Sequence, residues 1–445
     1  MPSPRFEHVG VAERRHHFFS IGRRSKRVAM LDEHIQLLME NTNSITARCL
    51  CKAHTFTASV AASSLPLPAE CCHCDSCRHV TGSLYLSSVE WPNPDEDLSG
   101  LHCYPFSSNI HQYSCPTCSS QLFSKLKGGN NGASDKLEVF TGVLENAPNL
   151  VKYTKHIFVG DTLDAGATIW FSKDVSSGEP IPRWSGREGL SEQLPPDWPA
   201  PSSSGAKTPE EPHPEFTPLR CHCGGVNLLL RSAVDIPQVP ARDTDSPNPK
   251  LPWYIDPETH RYRANTDCCD SCRLTFGTDL VHWTFAGLGH ISFVSPFPSP
   301  SSNSFPPGSF PATITELKTA VLANPNSAAQ EKDTHRDLGI GTLALFQSSP
   351  DVERYFCRRC AASVFFAVHD TDRMDMVDIA VGLLRHPDGA RAEGLLSWKY
   401  GSVGWIEDVK GGWREALVKG AVEGSEAWRV RGQIGTGTSG GDDKE

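Results

Sequence analysis

Two short cysteine-rich stretches decide the fold of this chain. The first is Cys72-His73-Cys74-Asp75-Ser76-Cys77-Arg78, and the second is Asp267-Cys268-Cys269-Asp270-Ser271-Cys272-Arg273. Both contain the motif Cys-Asp-Ser-Cys-Arg, and a glycine follows each at the same offset, Gly82 and Gly277. Such similarity between distant segments is the first indication of an internal repeat.

The surrounding sequence repeats in the same order. A C-x-C motif precedes each stretch and a C-x-x-C motif follows it, and after the C-x-x-C motif an apolar segment with a central glycine also recurs. The C-x-C motifs are Cys49-Leu50-Cys51 and Cys221-His222-Cys223, the C-x-x-C motifs are Cys115-Pro116-Thr117-Cys118 and Cys357-Arg358-Arg359-Cys360, and the apolar segments are 139–144 and 379–384. This order predicts a duplicated domain.

The spacing between motifs is longer in the second copy, which predicts an inserted loop there. The Pro- and Ser-rich residues 295–311 fit such a loop, because proline at that density cannot sustain a strand ladder or a helix. The predicted organisation is a basic, flexible N-terminal extension (1–43), a first zinc domain (44–173), a Pro/Ser-rich linker (174–217), a second, degenerate zinc domain (218–411) and a C-terminal extension (412–445) with a disordered end.

Short apolar runs bounded by Gly, Asn and Pro predict a mainly β protein. Examples are residues 136–141, 165–171 and 361–368, and the one good helical pattern is Leu31–Glu40. No run approaches the roughly 18 apolar residues of a membrane-spanning helix, so we expect no membrane insertion.

The charge balance argues against a general nucleic-acid binder. The 445 residues contain 42 basic and 52 acidic side chains, a net charge of −10, whereas binding to phosphates requires clustered Lys and Arg. Residues 1–27 are the exception, with seven basic and two acidic residues. They could be a solvated extension, a nuclear signal or a mitochondrial transit peptide. We therefore expect a cytoplasmic protein, with the nucleus or mitochondrion as alternatives.

The outer cysteines predict two closed metal sites. Closely spaced thiols in a chain of this length, without a secretory signal, suit one ion better than separate disulfides, and zinc accepts four thiolates tetrahedrally. A C-x-C and a distant C-x-x-C can meet to form such a site, and free buried thiols are the alternative. The predicted ligands are Cys49, Cys51, Cys115 and Cys118 in the first copy and Cys221, Cys223, Cys357 and Cys360 in the second.

The middle cluster differs because it offers three thiolates, from Cys72, Cys74 and Cys77. Three protein ligands leave a position for water or an incoming thiol, which is typical of a catalytic or exchangeable zinc. The alternative is a closed site completed by Cys71, His73 or a distant residue.

This motif set resembles the glutathione-dependent formaldehyde-activating enzyme family, which includes centromere protein V. The resemblance covers roughly 44–171 and 218–411. It implies two tandem β-tent domains, structural zinc on the outer cysteines and a catalytic zinc on Cys72, Cys74 and Cys77. It also implies carbon–sulfur lyase chemistry, founded on the addition of glutathione to formaldehyde, so the expected partner is a small-molecule thiol or aldehyde adduct.

Two departures from the family pattern stand out. The glycine after C-x-C is present as Gly224 but is Lys52 in the first copy, and the first middle cysteine is Asp267 in the second. Asp267, Cys269 and Cys272 could still bind a fourth zinc, since carboxylates bind this metal, or the site could be lost. We therefore predict chemistry in the first copy and a supporting role for the second.

Arg78 is a candidate for binding glutathione, because a guanidinium can hold a carboxylate or lower the pKa of a neighbouring thiol. It could equally brace a loop, as could Arg273 at the matching position. The leading hypothesis is a zinc-dependent lyase-like enzyme; the alternative is a non-catalytic zinc-stabilised binding or scaffold protein. Chromatin association through the basic N-terminus is a weaker third hypothesis.

Overall fold

The structure is a computed structural model that describes residues 42–128, 134–199, 214–234, 236, 251–294, 310–323 and 340–436. Several predicted features lie outside these residues. They are the N-terminal extension up to residue 41 with its helix, the centre of the linker, most of the loop 295–311 and the last nine residues.

The prediction of a mainly β protein is confirmed, but residues 165–171, predicted as a strand, instead contain a short 3-10 helix over Gly166–Ile169. The described residues form two halves, each a cysteine-rich sheet region with one short helix between its third and fourth strands. In the first half these elements are β1 (Thr42–Arg48), β2 (Thr55–Ala61), β3 (Leu67–Cys72), α1 (Asp75–Thr81), β4 (Leu86–Glu90), β5 (His102–Pro105), β6 (Ile110–Ser114), β7 (Gln121–Leu126), β8 (Lys136–Phe140), β9 (Val151–Ile157), β10 (Arg183–Trp184) and β11 (Gln193–Leu194).

The second half follows the same order with two insertions, β16 and α3. Its elements are β12 (Phe216–Arg220), β13 (Asn227–Arg231), β14 (Tyr262–Asp267), α2 (Asp270–Phe276), β15 (Val281–Gly287), β16 (Ile291–Phe293), α3 (Ile314–Ala323), β17 (Leu343–Ser349), β18 (Val352–Cys357), β19 (Ser363–Val368), β20 (Met376–Ala380), β21 (Leu396–Trp398) and a final helix, α4 (Trp413–Thr436).

The two large sheets have matching strand orders. The first runs β11-β10-β9-β3-β4-β8-β7-β6-β5 and the second β21-β14-β15-β20-β19-β18-β17, while β1-β2 and β12-β13-β16 form two smaller sheets. In each half the C-x-C motif follows the first strand of the small sheet, and the C-x-x-C motif joins two antiparallel strands of the large sheet. The repeated motifs therefore occupy equivalent places.

The first sheet extends past residue 173, where the sequence places the end of the first domain. β10 pairs in parallel with β9 through Arg183 and His156, and β11 pairs with β10. These strands are two residues long, too short to show the alternation that identifies a strand in sequence. The part of the predicted linker up to residue 199 thus contributes to the first sheet.

Glycines allow the two halves to meet backbone to backbone. Gly142 N donates to Gly277 O at 3.1 Å, and Gly382 N donates to Gly82 O at 2.9 Å. A Cβ atom at Gly142 would lie 2.2 Å from Thr278 N, and one at Gly382 would lie 2.0 Å from Ser83 O. Both contacts therefore require glycine, and the glycines that repeat in the sequence belong to the interface between the halves.

A buried ion pair from α4 reinforces this interface. Arg414 Nε lies 3.2 Å from Asp279 Oδ1, and both side chains are fully buried. Asp279 also accepts hydrogen bonds from Thr141 and Tyr153 of the first half, at 2.5 and 2.6 Å. The predicted C-terminal extension thus begins as a helix that fixes one half to the other.

None of the helices in the described residues is both apolar and long enough to cross a bilayer.

Replacing Arg414 with alanine tests this ion pair. Removing one partner of a buried pair leaves the other charge uncompensated, so we expect a loss of about 3–5 kcal/mol of unfolding free energy, measured by chemical denaturation. The control is Arg429→Ala, whose exposed side chain pairs with Glu426 within the same helix and should leave stability unchanged. Equal unfolding midpoints for the two variants would contradict the stabilising role of Arg414.

Candidate metal centres and active site

The middle cluster of the first half is formed where β3 passes into α1. Cys72 ends β3, Cys74 caps the helix by accepting a hydrogen bond from Cys77 N at 3.3 Å, and Cys77 lies in the first turn. Extended backbone places Cys72 and Cys74 on the same side of the chain, and the capped turn brings Cys77 to them. The three sulfur atoms lie within 4.8 Å of one another.

Of the alternatives for a fourth ligand, neither Cys71 nor His73 is part of this group, and no distant residue of the described part of the chain joins it. His73 is fully buried, and its Nε2 lies 3.0 Å from His156 Nδ1, while His156 Nε2 lies 2.9 Å from the Phe171 carbonyl oxygen. Cys72, Cys74 and Cys77 lie together without a fourth His, Cys, Asp or Glu ligand from the described residues. Among those residues the cluster has three ligands.

Hydrogen bonds within the cluster separate the pKa values of its thiols. Hydrogen bonding with Cys72 and Cys77 lowers the pKa of Cys74 to about 3, and the Arg78 charge contributes in the same direction. Hydrogen bonding and burial raise the pKa values of Cys72 and Cys77. Without a metal the cluster therefore holds one thiolate and two thiols, so metal binding must release protons.

The outer cysteines of each half also converge. Cys51 Sγ lies 3.5 Å from Cys49 Sγ and 3.6 Å from Cys115 Sγ. A tetrahedral zinc with bonds of about 2.3 Å to sulfur has sulfur–sulfur edges of about 3.8 Å, whereas a disulfide bond is about 2.05 Å long. All sixteen cysteines of the chain are free thiols. The spacing therefore fits a metal-binding tetrahedron and excludes disulfides here.

The second half repeats this arrangement. Cys223 Sγ lies 3.6 Å from Cys221 Sγ and 3.5 Å from Cys357 Sγ, and Cys360 completes the group. Each outer group brings together four sulfur atoms within 4.8 Å.

Lys52 stands where the family pattern has a glycine, but the turn around the C-x-C motif is unchanged. Lys52 has φ +64° and Gly224 has φ +71°, and their amides donate to Cys49 O and Cys221 O at 3.2 and 3.0 Å. The left-handed conformation costs a lysine roughly 1 kcal/mol more than a glycine. The first half keeps the turn in spite of that cost.

The middle cluster of the second half contains Asp267, Cys269 and Cys272, whose ligand atoms also lie within 4.8 Å. Cys268 is directed away, since its thiol donates to Gly404 O at 3.1 Å. Burial raises the pKa of Asp267 to about 8, and hydrogen bonding with Cys272 lowers the pKa of Cys269 to about 6. A carboxylate thus takes the place of one thiolate in an otherwise similar group.

The two arginines that follow the middle clusters are both buried. Arg273 Nη1 donates to Gly142 O at 2.6 Å and to Leu144 O at 2.8 Å, so Arg273 braces the interface between the halves. Arg78 pairs with Asp75, while its Nε and Nη1 atoms have no hydrogen-bond partner within the described part of the chain.

A large cavity lies beside the second middle cluster, and sequence reasoning did not identify it. Its volume is about 690 Å³. The cavity is lined by two arginines, Arg354 and Arg373, and by aromatic side chains that include Trp253, Trp283 and Phe366. One lining residue, Leu50, comes from the first half. The sequence offered one signal of this cavity. Arg354 stands three residues before Cys357, whereas the matching position of the first half, three residues before Cys115, is Gln112.

One comparison with known proteins supports the description of the first half of the chain. Neither the curated proteins nor the solved structures gave a match to the chain. Residues 44–161 match one family model, which spans both cysteine clusters of the first half. This family model describes the glutathione-dependent formaldehyde-activating enzyme, so the first half is similar to that family over residues 44–161.

Proposed function

We propose that the protein is a zinc-binding, carbon–sulfur lyase-like enzyme acting on a thiol adduct, of the glutathione type, of formaldehyde or another small electrophile. The observation that carries this proposal is the cluster of Cys72, Cys74 and Cys77, which brings three sulfur atoms together with no fourth ligand among the described residues. The family match over residues 44–161 supports the same chemistry.

The proposed metal content follows from the donor sets. Four thiolates close a tetrahedral site, so the two outer groups would hold structural zinc and stabilise each half. The Cys72, Cys74 and Cys77 group would hold a catalytic zinc, and Asp267, Cys269 and Cys272 a possible fourth ion. At a three-ligand site zinc keeps an incoming thiol deprotonated and polarises a carbonyl group.

The residues around the first middle cluster would hold and orient these groups. The amide of Cys77 donates to Cys74 Sγ, which helps to keep that sulfur ionised. Arg78 adds positive charge near Cys74, and its two unpartnered nitrogens are available donors for a ligand carboxylate. Because the Arg78 side chain is only 6% exposed, support of the thiolate is favoured over direct contact with glutathione.

The second candidate is a non-catalytic, zinc-stabilised binding or scaffold protein. The substitution of Asp267 for a cysteine and the buried contacts between the halves favour it, since both are consistent with a structural role for the second half. In that case the middle clusters would be accessory structural sites.

Metal content distinguishes the two candidates. We expect about three zinc ions per chain, one of which a mild chelator removes without unfolding the protein. The Cys74→Ala variant should contain about one zinc ion fewer and remain folded by circular dichroism, whereas Cys103→Ala, at an exposed cysteine outside the clusters, should match the wild type. Two zinc ions per chain, both released only on unfolding, would support the scaffold.

Activity provides the second test. Formaldehyde and glutathione combine reversibly to S-(hydroxymethyl)glutathione. NMR exchange spectroscopy measures the rate of this interconversion and separates catalysis from the spontaneous reaction. We expect the protein to accelerate this exchange and Cys74→Ala to return it to the uncatalysed rate, because a ligand of the open site is lost. Cys103→Ala should retain full acceleration. Equal rates for Cys74→Ala and wild type would exclude the first middle cluster as the catalytic centre.

A further inference from the structure

The cavity in the second half has the features of a small-molecule site. Two tryptophans that line it are largely exposed, Trp253 at 50% and Trp405 at 67%, while Trp283 and Phe366 provide an apolar wall. Apolar side chains that are exposed together at one cavity mark ligand-binding grooves more often than single exposed residues do. A volume of about 690 Å³ is also typical of pockets that enclose a small organic molecule.

Arg354 is one of two arginines in a lining that also contains Asp267, Asp378 and Asp408. The Arg354 side chain is buried against the Phe366 ring, with its guanidinium carbon 4.9 Å from the ring centroid. It donates to Ser271 Oγ at 2.9 Å, Ser348 Oγ at 3.2 Å and Cys272 Sγ at 3.7 Å. Among the residues described, none supplies it with a carboxylate ion pair, in contrast to Arg373, which pairs with Asp378.

A buried guanidinium without a carboxylate is costly unless a negative group lies nearby. A zinc ion on Asp267, Cys269 and Cys272 would carry a net charge of −1 with those ligands, and Arg354 would balance it. Arg373 and Asp378 neutralise each other, while the exposed Asp408 also lines the cavity and leaves one negative charge there. Among the described residues Arg354 is therefore the one lining arginine without a carboxylate ion pair, and it is the group that can attract an anion.

The equivalent positions of the first half have neither the charge nor the aromatic rings. Arg354 lies opposite Phe366 in the register of β18 and β19, whereas Gln112 lies opposite Ser124 in that of β6 and β7. Each of these pairs stands at the same distance from its C-x-x-C motif. The cation and the ring are thus specific to the second half.

The same contrast holds for the next two strands of the sheet, β20 and β15. Trp283 of β15 lies opposite Ala380, and its counterpart Ser88 of β4 lies opposite Phe140. Ser88 donates to Glu138 Oε2 at 2.8 Å, so the first half presents a small polar side chain and a carboxylate there. The two halves therefore present different surfaces beside similar ligand clusters.

We propose that the second half binds a small organic anion with a flat, apolar body in this cavity. Arg354 would hold the anionic group, and Trp283 and Phe366 would contact the body of the ligand. This inference does not depend on the proposed activity of the first half, and it assigns the second half a binding role in place of a purely supporting one.

Isothermal titration calorimetry with two matched probes tests the proposal. The probes are 2-naphthoate and its neutral analogue 2-naphthamide, added to the full-length, zinc-loaded protein. We expect the wild type to bind naphthoate at least about tenfold more tightly than naphthamide, because a guanidinium–carboxylate contact adds a charge-assisted hydrogen bond. In Arg354→Gln, which introduces the residue found at the first-half position, this preference should disappear while naphthamide affinity is retained.

Two further variants keep the result unambiguous. Arg231→Gln removes the same charge from an exposed site outside the cavity and should leave both affinities unchanged. Arg354→Lys should keep part of the preference for the anion, and it replaces Arg354→Gln if that variant fails to fold. Equal wild-type affinity for the two probes, no saturable binding, or an undiminished preference in Arg354→Gln would overturn the proposal; the last would mean that a bound metal, not Arg354, attracts the anion.

Discussion

The fold depends on sulfur atoms that are remote in sequence and adjacent in space. Cys51 and Cys115 are separated by 64 positions and Cys223 and Cys357 by 134, yet each pair lies within 3.6 Å. At this spacing the four thiols of each group do not form disulfides, and they are close enough to share one metal ion. A shared metal ion would account for their convergence, and the free energy of metal binding would then contribute directly to folding. Such an ion would join the small sheet of each half to its large sheet.

The second constraint is the close contact between the halves. Backbone hydrogen bonds at Gly142 and Gly382 cross the interface in equivalent places. The buried Asp279 carboxylate accepts a hydrogen bond from Thr141 of the first half and pairs with Arg414 of the second. Because Leu50 of the first half lines the cavity of the second, the environment of at least one middle cluster includes both copies. A change in one half can therefore affect the ligand site of the other through direct contact.

The convergence of the cysteines could be expected from the sequence, because the ligand spacings of metal sites are short and survive in the linear chain; that the four groups hold metal stays a prediction. Repetition of the motifs also predicted two similar sheet regions. The cavity was not predictable in this way, since Arg354 and Trp283 belong to strands whose relative placement depends on the register of the whole sheet. The bracing role of Arg273 likewise depends on the other half, whose carbonyl groups it binds. The strands β10 and β11 were missed because two residues are too few to show a pattern.

X-ray absorption at the zinc edge of the native protein tests the central claim most directly. The two outer groups offer four sulfur atoms each and the first middle cluster offers three. They predict a zinc coordination shell dominated by sulfur, with more than three sulfur atoms per zinc on average at about 2.3 Å. A first shell dominated by nitrogen or oxygen, or no zinc absorption edge in the native protein, would contradict the account.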